Sequence, residues 1–549
     1  MNQTTEPSSP EGEAAEPTVP AGSLFSSARL VAAGILLSRI AGFVRDIIFA
    51  RYLGNSGFAS AFRAALRMPN VLQNLLGEGT LSASFIPVYS KLLEEGDDEA
   101  AGKLASAIFA LLLAVAGGLS LFGMLLAPVL VSVFLTGFEG EIRELTIACT
   151  RIIFPMTGIL VLSAWALGIL NSHRRFFVSY TAPVLWNAAI IAVLLFFGTR
   201  LDQRSLVIAL AWGALVGGAL QFLIQLPWVL RLQRGLRPRW DLKSHGAGTV
   251  LRNAGPAIMG RGVVQLSGWV DMWLASFLFA GAVSALGYAQ TFYMLPVSLF
   301  GMSIAAAELP ELSRTGGGDV AAVRNRVAAG LRQMAVFVVP SVVGYLALGD
   351  VIIGAMYQRG EFARGDTILV YLILAGYSIG LLASTATRLY ASTLYALNDT
   401  KTPAKIAMIR VATSALLGAT LMMLLEPITV RGFTISLGTG FTILGRPIGA
   451  AGLAAGAGVA AWLEWTLLRR AVARRIGVPA AASVLFRLIL AAILAAAAAR
   501  GLLYVLSPAS RILSLLVVMV PFGVLYFGLA SLFGVGEVRT ALARFTRRR

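Results

Sequence analysis

Apolar runs recur from one end of the chain to the other and are separated by short polar loops. A helix needs about 20 apolar residues to cross a bilayer, whereas the strands of a membrane barrel are short segments of alternating polarity. No alternation with a period of two extends over any length of this sequence. The pattern predicts an all-α polytopic membrane protein with about 14 transmembrane helices. They are expected at 30–51, 57–90 (broken near Pro69 and at Gly77–Gly79), 104–135, 143–170, 178–199, 205–230, 250–280, 284–309, 328–348, 367–396, 402–425, 447–468, 481–506 and 511–534.

Charged and amide side chains interrupt the apolar pattern in the first two predicted helices. One face of the first helix carries Ser38, Arg39, Gly42, Arg45 and Asp46. One stripe of the second helix carries Arg63, Arg67, Asn70 and Asn74, and Glu78 continues it. A charge at the bilayer centre costs about 3 kcal/mol even on the mildest scale, so such residues normally face a watery cavity or a partner. These stripes are the first candidates for a functional site.

The alternative for Arg39 and Arg45 is a structural role. Long basic side chains can reach an interface, or they can pair with acids such as Asp46 and Glu78 and so hold two helices together. The stripes contain more cations than acids, however, and this excess of positive charge favours a site that receives an anion.

Charge along the chain predicts the topology. The net charge is +18, but the basic residues lie in loops between apolar runs, as the positive-inside rule requires, so no nucleic-acid partner is expected. Basic clusters at 231–252 and 469–475 are placed in the cytoplasm, and an even number of helices puts both termini there. Residues 1–28 are expected to form a disordered cytoplasmic tail and 537–549 a basic cytoplasmic tail. The two histidines, His173 and His245, are expected to be solvated in cytoplasmic loops.

A faint internal repeat suggests the domain organisation. Pro69 precedes Asn171 by 102 residues, and Pro296 precedes Asn398 by the same distance. The repeat predicts two parallel six-helix lobes, an N-lobe at 29–245 and a C-lobe at 246–476, followed by two extra helices at 477–536. Proline and asparagine are both common at the ends of membrane helices, so coincidence is the alternative explanation.

Several motifs, in this order and spacing, resemble the MurJ/MviN family of proposed lipid II flippases. They are SRIAGFVRD at 38–46, MPNVLQNLLGEG at 68–79, ILNSHRRF at 169–176, GPAI at 255–258, YQRGEF at 357–362 and KTPAKIA at 401–407. The resemblance spans about residues 29–535. It implies a fold like that of the MATE exporters, with a cationic cavity between the lobes and a groove for a lipid tail formed by the last two helices.

The same resemblance implies a set of substrate-binding residues. They are Arg39, Arg45 and Asp46 on the first helix, Arg67, Asn70 and Glu78 on the second, and Arg388 on the tenth, where the alternative is a packed interface charge. Three positions depart from the family pattern, since Ser60 stands in place of an aspartate and Gln73 and Thr291 each in place of an arginine. We hypothesise that Arg261 on the seventh helix supplies the charge missing at Thr291. Asp271 is a weak candidate for sodium, and an ion pair with Arg261 is the preferred interpretation.

The chemistry of the stripes fits a diphosphate. Guanidinium groups bind phosphate oxygens through paired hydrogen bonds and keep their charge when desolvated. The resemblance implies that the diphosphate belongs to lipid II or a related lipid, which is the expected partner together with membrane lipids and would cross the cytoplasmic membrane by alternating access. No bond is broken, so neither an enzyme nor a cofactor is expected, and the sequence contains no GxxxxGK[ST] motif.

Other functions on the same fold stay open. The chain could export another polyprenyl-diphosphate-linked saccharide, or drugs, because a fold does not determine its cargo. The departures at Ser60, Gln73 and Thr291 also leave room for a homologue that has lost transport and acts as a scaffold. No role is assigned to 427–446, which has the character of an insertion.

Overall fold

The computed structural model describes residues 21–233, 236–237, 240–241, 246–315, 319–430, 433–477 and 482–539. The helices are α1 (Ala21–Leu53), α2 (Gly57–Leu76), α3 (Glu78–Glu94), α4 (Asp98–Leu125), α5 (Ala127–Phe134), α6 (Gly140–Ser172), α7 (Phe176–Phe197), α8 (Gln203–Leu232), α9 (Ala247–Ser276), α10 (Ala282–Pro296), α11 (Ser303–Thr315), α12 (Val320–Tyr357), α13 (Arg364–Ile379), α14 (Leu381–Ala396), α15 (Lys401–Leu425), α16 (Gly449–Ile476), α17 (Ala482–Leu506) and α18 (Arg511–Leu532). A π-helical segment, Val297–Met302, joins α10 to α11.

The prediction of an all-α polytopic membrane protein is confirmed. Among the described residues, 10 helices are long and apolar enough to cross a bilayer, and the bent pair α13–α14 makes 11. Three more stretches reach membrane length without that composition, namely α1, α9 and the consecutive helices α2 and α3. These stretches carry the polar stripes and Asp271, so the predicted number of about 14 is reached only when they are counted.

Several predicted spans are broken. The second span divides at Gly77, which separates α2 from α3 and lies in the break predicted at Gly77–Gly79, whereas α2 continues through Pro69, where a break was also predicted. The eighth span changes to the π-helical segment immediately after Pro296, because proline has no N–H to donate to the preceding turn. The tenth span bends by 41° between α13 and α14.

The packing order shows where the polar stripes lie. Helix α1 packs mainly on α7, and α2 packs on α6 and α10. For reference we call α1–α8 the N-half and α9–α16 the C-half. Helices α17 and α18 pack on each other and on α12. The division into two lobes at residue 245 stays a prediction.

Two small sheets occupy the stretch at 427–446. Strand β1 (Ile428–Val430) pairs antiparallel with β2 (Phe433–Ile435), and β3 (Thr442–Ile443) pairs antiparallel with β4 (Arg446–Pro447). In the register, Ile428 lies opposite Ile435 and Thr442 opposite Pro447. Arg446 forms an ion pair of 2.9 Å with Asp366 and thereby attaches the second sheet to the start of α13.

The predicted N-terminal tail differs from expectation where the structure describes it, and the described start of the C-terminal tail is packed. Helix α1 begins at Ala21, inside the stretch expected to be disordered, while residues 1–20 lie outside the described part. At the other end, Glu537 pairs with Arg332 of α12 at 2.6 Å and Val538 is buried, so the first residues of the C-terminal tail pack on the bundle. Residues 540–549 lie outside the described part.

Candidate functional site

A buried carboxylate, Asp46, is the centre of the polar face of α1. Arg45 donates to its Oδ1 through Nη2 at 2.9 Å and through Nε at 3.3 Å. The Nη1 group of Arg45 donates to Oδ1 of Asn187 on α7 at 3.0 Å, and the guanidinium lies 5.0 Å from the ring centroid of Trp186. Arg45 is thus held in place by an anion, an amide and an aromatic face.

A second cation, Arg63 of α2, faces the same carboxylate. Its Nη2 lies 3.9 Å from Oδ1 of Asp46. The guanidinium sits 4.3 Å from the ring centroid of Tyr288 on α10 and 5.1 Å from that of Phe49. Nε and Nη2 of Arg63 are buried and have no hydrogen-bond partner in the described part of the chain.

The C-half contributes a hydroxyl to this cluster. Thr291 of α10 lies 3.2 Å from Oδ2 of Asp46 and 3.1 Å from the carbonyl oxygen of Gly287, and its hydroxyl can donate to either. The position at which the family pattern has an arginine therefore contacts Asp46 directly. We call Arg45, Asp46, Arg63 and Thr291 the Asp46 cluster.

The other departures from the family pattern have separate places. Ser60 is buried and its Oγ accepts the backbone N–H of Ser284 at 3.1 Å, so it links α2 to α10. Gln73 lines a cavity described below. Neither residue contacts the Asp46 cluster through a hydrogen bond or ion pair within the described residues.

Arg39 lies six residues before Arg45 on α1 and has a different partner. Its side chain is exposed, and Nη1 donates to Oγ of Ser298 in the π-helical segment at 3.0 Å. The two arginines predicted to act together therefore have different partners. Arg45 is held within the N-half, and Arg39 reaches to the C-half.

Arg67 and Asn70, the other residues of α2 that were predicted to bind substrate, lie in different surroundings. Arg67 lies against α9, since a Cβ built on Gly268 would be 2.2 Å from Nη2 of Arg67. Asn70 is exposed and lines a cavity of about 810 Å³ inside the N-half. That cavity is also lined by Gln73, Asn74, Ser82, Ser163, Trp186 and Gln221. The described lining combines uncharged polar side chains with apolar ones such as Met156 and Leu160, and its Trp186 contacts the guanidinium of Arg45.

Four further predicted residues are not brought to the Asp46 cluster. Arg388 is exposed on α14. Asp271 is half-buried on α9 and makes no ion pair or hydrogen bond among the described residues. The side chains of Glu78 and Arg261 lie outside the described part, so the proposed replacement of a missing charge by Arg261 stays a prediction. No group of three or more side chains suited to a metal ion occurs within the searched, described residues.

The two halves meet through hydrogen bonds at the end where α1 finishes. The backbone N–H of Glu361 donates to the carbonyl of Arg51 at 2.9 Å, and the Tyr288 hydroxyl donates to the carbonyl of Gly54 at 2.8 Å. The Ser284 hydroxyl donates to Oδ1 of Asn55. We call these three bonds the end contact.

An apolar groove of about 700 Å³ runs between α12, α14, α16 and α17. Its walls include Val339, Val343, Leu346, Leu382, Ile489 and Ile493. One lining residue is charged, Arg500, which binds both carboxylate oxygens of Asp350 at 2.9 Å each. The groove can therefore hold an alkyl chain along most of its length.

Two residues of the site had no role in the sequence analysis, and one contact outside the site was not expected. Arg63 belonged to the predicted stripe but not to the predicted substrate-binding residues. Asn187 lies in a stretch that resembles the family but was given no role, and Trp186 had no signal. His173 is half-buried rather than solvated, with Nε2 at 3.0 Å from the Tyr89 hydroxyl, while His245 lies outside the described residues.

Comparisons with known proteins agree with this architecture. The sequence model of a family described as "Lipid II flippase MurJ" matches residues 49–523. A protein named lipid II flippase MurJ from Burkholderia cenocepacia is 32% identical over 427 residues, which cover 76% of this chain and 81% of that protein. A probable lipid II flippase MurJ from Bdellovibrio bacteriovorus is 31% identical over 435 residues, covering 77% and 82%.

Two solved structures share the fold. A lipid II flippase MurJ in an inward closed conformation aligns with a TM-score of 0.72 at 24% identity and covers 92% of this chain and 98% of its own. An inward-facing multidrug transporter of the MATE family aligns with a TM-score of 0.60 at 17% identity, covering 80% and 95%. At these identities the likeness extends to the fold alone.

Proposed function

Because this chain belongs to the lipid II flippase MurJ family, a family of transporters rather than enzymes, we propose that it moves lipid II across the bacterial cytoplasmic membrane. The lipid carries a diphosphate between an undecaprenyl chain and a sugar-peptide, and Arg39 and Arg45 are proposed to bind that diphosphate. The protein then lowers the cost of passing the head group through hydrocarbon while the chain stays in lipid.

The observation that carries this proposal is the setting of Arg45. Its guanidinium is partly exposed and lies 5.0 Å from the ring centroid of Trp186, which lines the cavity of the N-half. One carboxylate, Asp46, faces both Arg45 and Arg63, so the cluster keeps net positive charge. A guanidinium in such a place binds phosphate oxygens strongly and stays charged.

The end contact supports alternating access as the mechanism. Three hydrogen bonds join the halves at one end of the helices, and the Arg39–Ser298 bond joins them nearer the start of α1. We propose that the halves rock against each other, that the end contact opens when the head group is released, and that Arg39 exchanges Ser298 for a phosphate oxygen.

The apolar groove is proposed to hold the lipid tail. Its walls are mainly aliphatic, and α17 forms one side of it, while no described lining residue comes from α18, the other helix expected to form the groove. In an inside-negative membrane, the potential would favour outward movement of the anionic head group by about 2.3 kcal/mol per charge per 100 mV.

Complementation tests the proposal. Cells depleted of their own flippase are supplied with this chain, with Arg39→Ala or with Arg45→Ala, and transport of lipid II to the outer face is measured. The parent should restore growth, and each variant should lower the transport rate at least about tenfold, because a charge-assisted phosphate contact is lost.

Arg200→Ala is the matched control, since Arg200 is exposed in the loop between α7 and α8. Its rate should equal that of the parent. A parent that restores nothing while it is present in the membrane would instead support a scaffold. A purified parent that transports other polyprenyl-diphosphate saccharides but not lipid II would change the cargo.

A further inference from the structure

We infer that Arg63 is an additional diphosphate-binding residue of this chain, which joins Arg45 when the anionic head group enters the Asp46 cluster. The inference rests on the proposed function and deepens it, because it names a residue and a charge requirement at the same site. Four observations support it. The cluster has more positive than negative charge, and two N–H groups of Arg63 have no acceptor among the described residues. Two aromatic rings contact the guanidinium, and Gly287 of α10 leaves space beside it.

The charges of the cluster do not balance. Asp46 is the single acid that contacts either guanidinium among the described residues, at 2.9 Å from Arg45 and 3.9 Å from Arg63. The other groups in contact, Thr291, Asn187 and Tyr288, are neutral. Unpaired charge is costly away from water, so the cluster attracts a further anion.

The two arginines differ in how their N–H groups are used. Arg45 has acceptors for Nε, Nη1 and Nη2. Arg63 has none for Nε and Nη2, although both atoms are buried. A buried donor without an acceptor lowers stability, and this loss is recovered when an acceptor arrives. A phosphate group offers several oxygens to the edge of a guanidinium that carries these two donors.

Aromatic rings hold Arg63 without using those donors. Tyr288 and Phe49 lie 4.3 and 5.1 Å from the guanidinium carbon, and a cation over a ring face is attracted by the ring's quadrupole. The hydroxyl of Tyr288 meanwhile donates to Gly54 in the end contact. The group that supports Arg63 is therefore also one that joins the two halves.

Helix α10 leaves space for the guanidinium at Gly287. A Cβ built there would lie 2.8 Å from Nη1 of Arg63, so a side chain at position 287 would displace the guanidinium. Gly287 is one turn before Thr291, whose hydroxyl reaches the same carboxylate. A basic side chain at position 291 of α10 would also lie near Asp46, so it can supply the positive charge that is lost when Arg63 of α2 is replaced.

The test measures binding to the purified full chain in lipid nanodiscs. The probes are farnesyl diphosphate and farnesyl monophosphate, which share a chain and differ in phosphate oxygens. Arg63→Met keeps the length of the side chain and removes its charge. We expect it to weaken binding of the diphosphate at least about tenfold and to affect the monophosphate less. Arg63→Lys should give an intermediate loss, because lysine cannot make paired hydrogen bonds.

Rescue separates binding from folding. In Arg63→Met/Thr291→Arg the charge returns from α10, and the affinity for the diphosphate should recover by at least half of the loss on a logarithmic scale. A purely structural Arg63 would give a lower Tm in Arg63→Met with an unchanged diphosphate affinity, and that result would overturn the inference.

Arg45→Met keeps the two proposals distinguishable. If Arg45→Met loses diphosphate binding and Arg63→Met does not, the inference is wrong and the proposed function stands. If the parent binds both probes equally and neither variant changes that binding, the proposed use of cavity arginines is wrong as well.

Discussion

Single residues decide how much of the site a sequence can reveal. The stripe on α1 predicted Arg39, Arg45 and Asp46, and the structure places the last two in direct contact. A helical period identifies which residues share a face, but not which distant helix they meet. The partners Asn187 and Ser298 were therefore outside its reach, since each is far along the chain.

At the scale of single residues, the partial burial of His173 leads us to predict that the stability of the protein depends on pH. Burial is the main cause that lowers the pKa of His173 below its usual value, and nearby Arg175 lowers it further. The unfolded chain then binds more protons than the folded one near about pH 6.5, so the free energy of unfolding falls as the pH drops through that value.

The measurement is the Tm at about pH 7.5 and about pH 5.5. His173→Gln should lose less Tm on acidification than the parent. His245→Gln changes the other histidine and is the matched control. An equal loss of Tm in the parent and in His173→Gln would exclude the imidazole as the titrating group.

At the scale of elements, the sequence predicted helices better than their interruptions. Long apolar runs set the positions of α4, α6, α8 and α18, because only a helix satisfies the backbone in lipid. The break at Gly77 was predicted, but the break predicted at Pro69 is absent and the π-helical segment after Pro296 was not predicted, because the effect of a proline depends on how neighbouring helices accept a disturbed turn. The two sheets at 427–446 escaped prediction because strands of two or three residues show no measurable period.

One ion pair predicts how α17 is attached. Arg500 and Asp350 join α17 to α12 through two bonds of 2.9 Å, and both side chains are about one third exposed. Arg500→Ala should lower the free energy of unfolding by about 1 kcal/mol, because partial exposure weakens such a pair. The Tm in detergent measures this.

A charge exchange supplies the control. The double variant Arg500→Asp/Asp350→Arg restores opposite charges across the same two helices and should recover part of the lost Tm. If Arg500→Ala and the exchanged pair both have the Tm of the parent, the ion pair contributes nothing to the attachment of α17.

For the whole molecule, the end contact makes alternating access testable with a covalent bond. Asn55 and Ser284 contact each other through their side chains across the two halves. Cys149 is the single cysteine of the chain and is buried, so its replacement by alanine leaves a background for cross-linking. In that background, Asn55→Cys/Ser284→Cys should stop transport of lipid II when oxidised and regain it when reduced.

Each single cysteine variant should transport equally in oxidising and reducing conditions. Full transport by the oxidised double variant, with the cross-link verified by mass, would show that this end of the bundle does not need to open. The spacing of prolines and asparagines predicted two halves from the sequence alone. The residues that join the halves could not be predicted, because they are isolated polar residues that recur at no regular spacing.

The π-helical segment Val297–Met302 changes how the polar side chains beyond it are oriented. A wider turn acts as a one-residue insertion in the helical phase and offsets everything downstream by about 100°. Glu308, which bonds to Arg326 on α12 at 2.6 Å, lies in this offset part. A helical wheel drawn continuously through α10 and α11 would therefore assign the wrong face to every position after Met302, and a relative without the wide turn would need a compensating deletion to present the same surface.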